Sequence, residues 1–404
     1  MKFFKVTKEE DARKTVGDAL EKVALATERI NLSEACSSCL AEDVFSGEKY
    51  PAYNRSTVDG YALDARDAYC ASPSVPALLR YKGKIAIGED ASVVVNRGEC
   101  AAVATGSVMP DGADAVVMIE NAGEFGDDIA VYAPVTAGAN VVKKGEELDK
   151  GSLIATRGKT VTPLLQGVFA CVGINKIRVY KKIRAAIIST GNELVDVSQK
   201  AEHGKIRDVN TRLLTASCER DGFEVSYTAR VSDDENAIKK AIKEASESCD
   251  LILISGGSSV GAKDLTEKVL SEGEIILHGL AMKPGKPTII AKIHGALAVG
   301  LPGNPLAALM VYEEIIAGAV RNVRGMVKHK FFARAETNFA SVPGRTTLQL
   351  VRAYFDGESY VAQPVFLKSA NLVTALKATG YVKISPDTEG INKGEMLEVI
   401  PFGL

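Results

Sequence analysis

Apolar residues recur with two different periods along this chain, and the change of period divides it. Thr7-Lys-Glu-Glu10 has the form of a capping box, and Val16, Leu20, Val23 and Ala24 follow at helical spacing, so a helix is predicted to about residue 27. Asn31–Val44 carries a second helical pattern. Residues 50–140 are rich in Gly and Pro, with short β-branched runs such as Ser92–Asn96 and Ala115–Ile119, the composition of a small β-domain. Leu164–Val172 reads as a helix. From Ile177 strands alternate with helices: strands at Ala185–Ser189, Leu251–Ile254, Glu274–His278, Thr288–Ile293 and Ala296–Gly300, helices at Thr211–Arg220, Glu235–Glu247, Leu265–Leu270 and Leu306–Val320. That alternation predicts a doubly wound sheet, whose ligands sit outside the carboxyl ends of its strands. Beyond Met326, Leu348–Phe355, Ser359–Pro364, Gly380–Ser385 and Met396–Pro401 read as short strands of a barrel or sandwich.

Composition breaks near residues 50, 140, 177 and 326, after an opening helix over residues 1–27, and residues 50–140 are β-rich. Residues 178–326 are the central α/β domain and 327–404 the C-terminal β-domain. A length of 404 residues requires several cores. The hydrophobic fraction of 46% and charged fraction of 25% are those of globular protein, and a net charge of −2 argues against nucleic acid as the main partner. The sequence has no apolar run of roughly 20 residues, which argues against a membrane span. The start, MKFFKVTKEEDARK, runs straight into charge, so a cytoplasmic protein is expected.

Candidate chemistry gathers in Leu251–Asp264, LILISGGSSVGAKD. A strand followed by Gly256, Gly257 and Gly261 and then a helix converges bare N–H groups on one point, which favours a phosphate. Asp264 can cap that helix or hold a divalent cation. The spacing matches neither G-x-G-x-x-G nor G-x-x-x-x-G-K-[ST], which disfavours an ordinary dinucleotide or nucleoside-triphosphate loop. Two further loops, KPGKP at Lys283–Pro287 and LPGNP at Leu301–Pro305, lie at neighbouring strand ends and can share its crevice. Seven scattered cysteines do not suggest a disulfide framework, and Cys36-Ser-Ser-Cys39 lacks a second ligand pair. The four histidines show no ligand spacing.

Taken in order, NRSTVDGYA (54–62), Ala104–Pro110, GADAVV (112–117), TGNEL (190–194), GGSSVGAKD (256–264), KPGKP and LPGNP resemble the MoeA family of molybdopterin molybdenumtransferases over nearly the whole chain. The resemblance implies a four-domain fold and an elongated homodimer: a central α/β domain related to molybdopterin adenylyltransferases, on which the opening helix (1–27) packs, a discontinuous linking domain (28–49 with 141–177), a β-domain (50–140) inserted between its halves, and a C-terminal β-barrel. It implies insertion of molybdate, or tungstate, into adenylylated molybdopterin with Mg²⁺-dependent release of AMP, and transient contact with a molybdopterin adenylyltransferase.

Residue by residue, the resemblance makes Glu193, Asp208 and Asp264 metal or general-base candidates. Asp59 and Thr105 match positions in the inserted domain that reach the partner's cleft. Gly256, Gly257, Ser258, Ser259, Gly261, Pro284, Gly285, Pro302, Gly303 and Asn304 become cofactor-binding candidates, and Arg352 and Ser369 complete an oxyanion pocket. Lys283 and Lys286, flanking a rigid Pro and a permissive Gly, can aim two ammonium groups at a molybdate dianion; if they are desolvated, losing one costs on the order of 2–5 kcal/mol. Two positions depart from the family pattern: Asn54-Arg55 replaces an acid before Asn-Ser, and Gly145-Glu-Glu147 replaces Gly-Glu-Asp. The rival readings are an adenylyltransferase, which would lack the inserted and C-terminal domains and KPGKP, and a non-catalytic scaffold.

Overall fold

The computed structural model describes residues 6–256, 260–366 and 372–402, with the backbone alone for 260–264. The chain divides into two compact units, one of Asp43–Thr156 and Pro163–Lys176, the other of Met1–Glu42, Arg157–Thr162 and Ile177–Leu404.

The smaller unit is built on a six-stranded sheet. Its strands are β1 (Gly60–Leu63), β2 (Ala77–Ile85), β3 (Glu99–Val103), β4 (Ala115–Met118), β5 (Ala122–Phe125) and β6 (Asp128–Val131), in the order β4-β1-β3-β2-β6-β5. Neighbouring residues alternate between its faces: Leu63, Cys100 and Val117 join one core, Ala62, Ala101 and Val116 another. A helix follows at Pro163–Cys171.

In the larger unit, helix α1 (Glu9–Ala24) buries Ala12, Val16, Leu20 and Ala24 along one stripe. The capping box predicted for its start does not form. Thr7 instead pairs its backbone with Gly279 and Ala281, which pulls it out of helical geometry, and Lys8 stands at the cap with no side-chain hydrogen bond. The second predicted helix, Asn31–Val44, is absent too. Thr27–Asn31 is a strand, only Leu32–Glu34 makes a helical turn, and Cys39 and Leu40 bridge Thr160 and Val179, so pairing with distant residues overrides the local pattern. Likewise Ser92–Asn96 contributes only an isolated bridge at Val94.

The central sheet combines β7 (Arg184–Thr190), β8 (Glu224–Val231), β9 (Leu251–Ser255), β10 (Glu274–His278), β11 (Ile289–Ile293) and β12 (Ala296–Leu301) in the order β8-β7-β9-β12-β11-β10. The first four are parallel and the last two antiparallel. Both faces are buried. Ala185, Ile187, Leu251 and Leu253 point into one core, and Ala186, Ile188, Ile252 and Ile254 into the other, which explains the unbroken apolar runs of β7 and β9. Helices α2 (Val209–Arg220), α3 (Glu235–Ser246) and α4 (Val260–Leu270) follow β7, β8 and β9, and α5 (Pro305–Val311) follows β12. Helix α4 starts five residues before the predicted Leu265. The long helix predicted at Leu306–Val320 runs on through a π-helical segment, Tyr312–Ala317, into α6 (Gly318–Arg324).

The C-terminal strands close on themselves. β13 (Phe331–Ala335), not predicted, joins β14 (Thr346–Phe355), β15 (Tyr360–Pro364), β16 (Gly380–Ile384) and β17 (Met396–Pro401) in the ring β14-β15-β13-β17-β16, which returns to β14. A closed ring leaves no free sheet edge. Leu348, Leu350, Tyr381 and Ile400 of the barrel share one core with α1, the central sheet and the π segment.

That segment also buries two acids. Glu313 meets Arg220 and Lys328 (3.1 Å), and Glu314 meets Arg13 (3.3 Å), Lys328 (3.6 Å), Lys383 (3.0 Å) and the Tyr381 hydroxyl. Lys383 also holds the buried Glu9 of α1 at 2.6 Å. One polar network therefore ties α1, the π segment and the barrel.

Candidate functional site

Register places the motif loops. Ser189 lies opposite Ser255, Ser255 opposite Leu301, and Gly300 opposite Ile289. The carboxyl ends of β7, β9 and β12 and the start of β11 thus form one row. The chain leaves this row at TGNEL, at Gly256 and at LPGNP, and KPGKP enters it. The parallel strands bring the N-termini of α2 and of the helical run beginning with α5 to the same edge, where their bare N–H groups favour negative charge.

Asp208 is buried and caps α2: its carboxylate accepts from Thr211 N–H (3.1 Å), Thr211 Oγ1 (2.7 Å) and Ser189 Oγ (2.9 Å). A short parallel ribbon of Leu194–Val195 and Ile206–Arg207 leads into it: Asp208 N–H bonds Val195 O (2.9 Å), and the carbonyl of the half-buried Glu193 accepts Ile206 N–H (2.9 Å). Asparagine caps as well as aspartate, so Asp208→Asn is expected to keep stability within about 1 kcal/mol. Asp208→Ala should lose about 1–2 kcal/mol, with urea unfolding as the measurement.

The KPGKP loop closes on itself. Gly279 N–H bonds Thr288 O (2.8 Å), Leu280 N–H bonds Lys286 O (3.0 Å), and Thr288 Oγ1 donates to Gly285 O (2.7 Å). Gly285 sits at φ 122°, and a Cβ there would stand 2.6 Å from Met282 Cε and 2.7 Å from Val311 Cγ2, so only glycine fits. Lys283 and Lys286 are exposed on either side of half-buried Pro284, and neither pairs with an acid among the described residues. In LPGNP, Pro302 is buried and Asn304 Oδ1 caps α5 through the N–H groups of Leu306 (3.0 Å) and Ala307 (3.2 Å).

Gly256 stands at the end of β9. Gly257, Ser258, Ser259 and Ser369 lie outside the described residues. Gly261 and Asp264 fall within α4, so Asp264 is the fifth residue of a helix and not its cap. Arg352 is exposed on β14, its guanidinium 5.8 Å from the Tyr354 ring centre. In the smaller unit Asp59 accepts the Thr105 N–H (2.7 Å) and hydroxyl (3.3 Å), so these two candidates meet. The two departures from the family pattern also meet: Arg55 faces Glu147 at 3.6 Å, and Asn54 Oδ1 accepts Lys144 N–H at 2.8 Å. Among the described residues no three His, Cys, Asp or Glu side chains cluster as a metal cage.

Two residues at the central edge escaped the sequence reading. Asn210 and Thr190 are buried, and among the described residues the Asn210 Oδ1 and Thr190 Oγ1 atoms have no hydrogen-bond partner. The available signal was polarity at strand and helix ends where burial would favour apolar side chains. Thr190 Oγ1 lies 2.8 Å from where a Cβ on Gly256 would be, which fixes glycine there.

Three family models match in succession: the MoeA N-terminal region (domain I and II) over residues 7–173, "Probable molybdopterin binding domain" over 186–322, and the MoeA C-terminal region (domain IV) over 333–402. A Methanocaldococcus jannaschii protein whose name places it in molybdopterin biosynthesis is 32% identical over 92% of this chain and 91% of its own. A Haemophilus influenzae protein named molybdopterin molybdenumtransferase is 29% identical over 93% of this chain and 94% of its own. A solved molybdopterin biosynthesis MoeA protein of Pyrococcus horikoshii superposes with a TM-score of 0.79 at 33% identity, covering 99% of this chain and all of that one. By its matched regions, its full-length relatives and its architecture, the chain belongs to the MoeA family.

Proposed function

We propose that this protein is a molybdopterin molybdenumtransferase that inserts molybdate into adenylylated molybdopterin and releases AMP. The observation that carries the reading is the single row at the carboxyl edge of the central sheet, from which the glycine-rich loop, KPGKP and LPGNP all extend. Helix N-termini and glycine N–H groups suit the phosphoanhydride, whose dispersed charge grows as it is cleaved. The exposed ammonium groups of Lys283 and Lys286 suit the oxyanion that takes its place on the dithiolene sulfurs.

Mg²⁺ supplies charge neutralisation to a phosphoanhydride when bound. The described donors, Asp208 and Glu193, form no all-protein cage, which fits a cation that takes one or two carboxylates and the substrate's own phosphates. Asp208 Oδ1 accepts from both Thr211 N–H and Ser189 Oγ, and Oδ2 accepts from Thr211 Oγ1 alone, which leaves a lone pair on Oδ2 for a cation. Asp59 and Thr105 act on the same substrate from a second copy of the chain in a homodimer. The protein works in the cytoplasm, where it receives its substrate from a molybdopterin adenylyltransferase, and its oxyanion is molybdate, or tungstate in its place.

The test is to supply pre-formed adenylylated molybdopterin with and without molybdate. AMP release that requires molybdate is the expected result, and activity only with ATP and free molybdopterin would reassign the protein to the adenylyltransferases. Because Asp264 is not a cap, Asp264→Ala should leave the circular-dichroism melt unchanged and abolish AMP release. Unaltered turnover would remove it from the site.

A further inference from the structure

Asn210 is nine-tenths buried in the first turn of α2, between the end of β9 and the LPGNP loop. Its Nδ2 donates to Ser255 Oγ and to the Gly303 carbonyl (2.9 Å). A carbonyl cannot donate, so the contact with Gly303 fixes which end of the amide is nitrogen. Oδ1 is therefore held in one direction, and it alone of the amide's polar atoms has no partner among the described residues. Leaving such an acceptor buried and unmade is unfavourable, and native proteins retain few of them.

The surroundings define what the oxygen can take. It lies on the row that carries the motif loops, between a helix start capped by Asp208 and another capped by Asn304. An anion gains from those helix ends but is repelled by an amide oxygen. A hydroxyl can turn to donate or accept and has no need of a locked partner. A group that only donates matches a locked acceptor.

We propose that Asn210 Oδ1 is a specificity-determining acceptor that binds the exocyclic amino group of a flat heterocycle at this edge. The inference rests on the function proposed above, whose substrate carries two such rings, a pterin and an adenine. Both present an exocyclic amino group, so either can supply the donor, and binding measurements separate them.

Full-length wild type and Asn210→Ala would be titrated with AMP and IMP, and with pterin and lumazine. In each pair the second compound replaces the amino group by a carbonyl oxygen. Wild type is expected to bind the amino member of one pair at least tenfold more tightly, and the pair that shows the difference identifies the ring. In Asn210→Ala that difference should vanish. Wild type that distinguishes neither pair, or a variant that still distinguishes one, overturns the assignment. The wild-type arm needs no variant, so a misfolded Asn210→Ala does not decide the matter. Molybdate-dependent AMP release by wild type, measured alongside, reports on the proposed reaction itself: its loss overturns that function, whereas normal release with no amino discrimination overturns only the role of Asn210.

Discussion

Replacing Glu314 by alanine is expected to destabilise the larger unit by about 3–5 kcal/mol, the cost of breaking a buried ion pair from one side. The Glu314 side chain is only 6% exposed and serves Arg13, Lys328, Lys383 and Tyr381 together. Its removal leaves three cations in a low-dielectric interior with too few partners. Burial pushes the Glu314 carboxyl up, but Lys383 and then Lys328, with hydrogen bonds from Tyr381 and Lys383, outweigh it and hold the group at about 2. A free glutamate titrates near 4.5. The folded value is the lower one, so the stabilisation is complete above that pH and disappears as the pH falls toward 2. Urea midpoints measured across this window should drop less steeply in Glu314→Ala than in wild type. Parallel curves would show that the charge contributes nothing.

The second large effect is expected at KPGKP. Lys283→Ala with Lys286→Ala should slow AMP release at limiting molybdate on the order of a hundredfold or more, since each charge-assisted contact to an oxyanion is worth about 1.5–3 kcal/mol. The larger cost considered from sequence requires desolvated lysines. Both are exposed, so the smaller range applies until the substrate covers them. Neither lysine bonds an acid among the described residues, and the thermal midpoint should shift by no more than the equivalent of about 0.5 kcal/mol. Excess molybdate should restore much of the rate. A defect that molybdate does not relieve would place the lysines on the nucleotide.

The readable parts of this chain are those whose local pattern and final environment agree. β9 is apolar from Leu251 to Ile254 because both faces of the sheet are covered, and of Asp233 and Asp234, either of which can cap a helix starting at Glu235, Asp234 caps α3 through Ala237 N–H. The common edge of the three motifs is legible because parallel strands force the ends of β9 and β12 together, and antiparallel β11 starts where β12 ends. Where long-range pairing decides, the pattern misleads. Asn31–Val44 has helical spacing, but its backbone bonds go to Lys159, Val161, Arg178 and Tyr180, more than a hundred residues away. Glu313 and Glu314 look like surface positions on an apolar helix, and the cations that justify burying them come from four other segments. Asn210 was overlooked because an unpaired oxygen is a property of packing, and no spacing in the sequence encodes it.

The core that the barrel shares with the π segment has a practical corollary for anyone dissecting this protein. A fragment that stops near residue 326 would take Leu348, Leu350, Tyr381 and Ile400 out of that core and remove Lys328 and Lys383 from the two buried glutamates. The ring of strands is thus no detachable appendage, and shortened versions of the chain should be sought by cutting elsewhere.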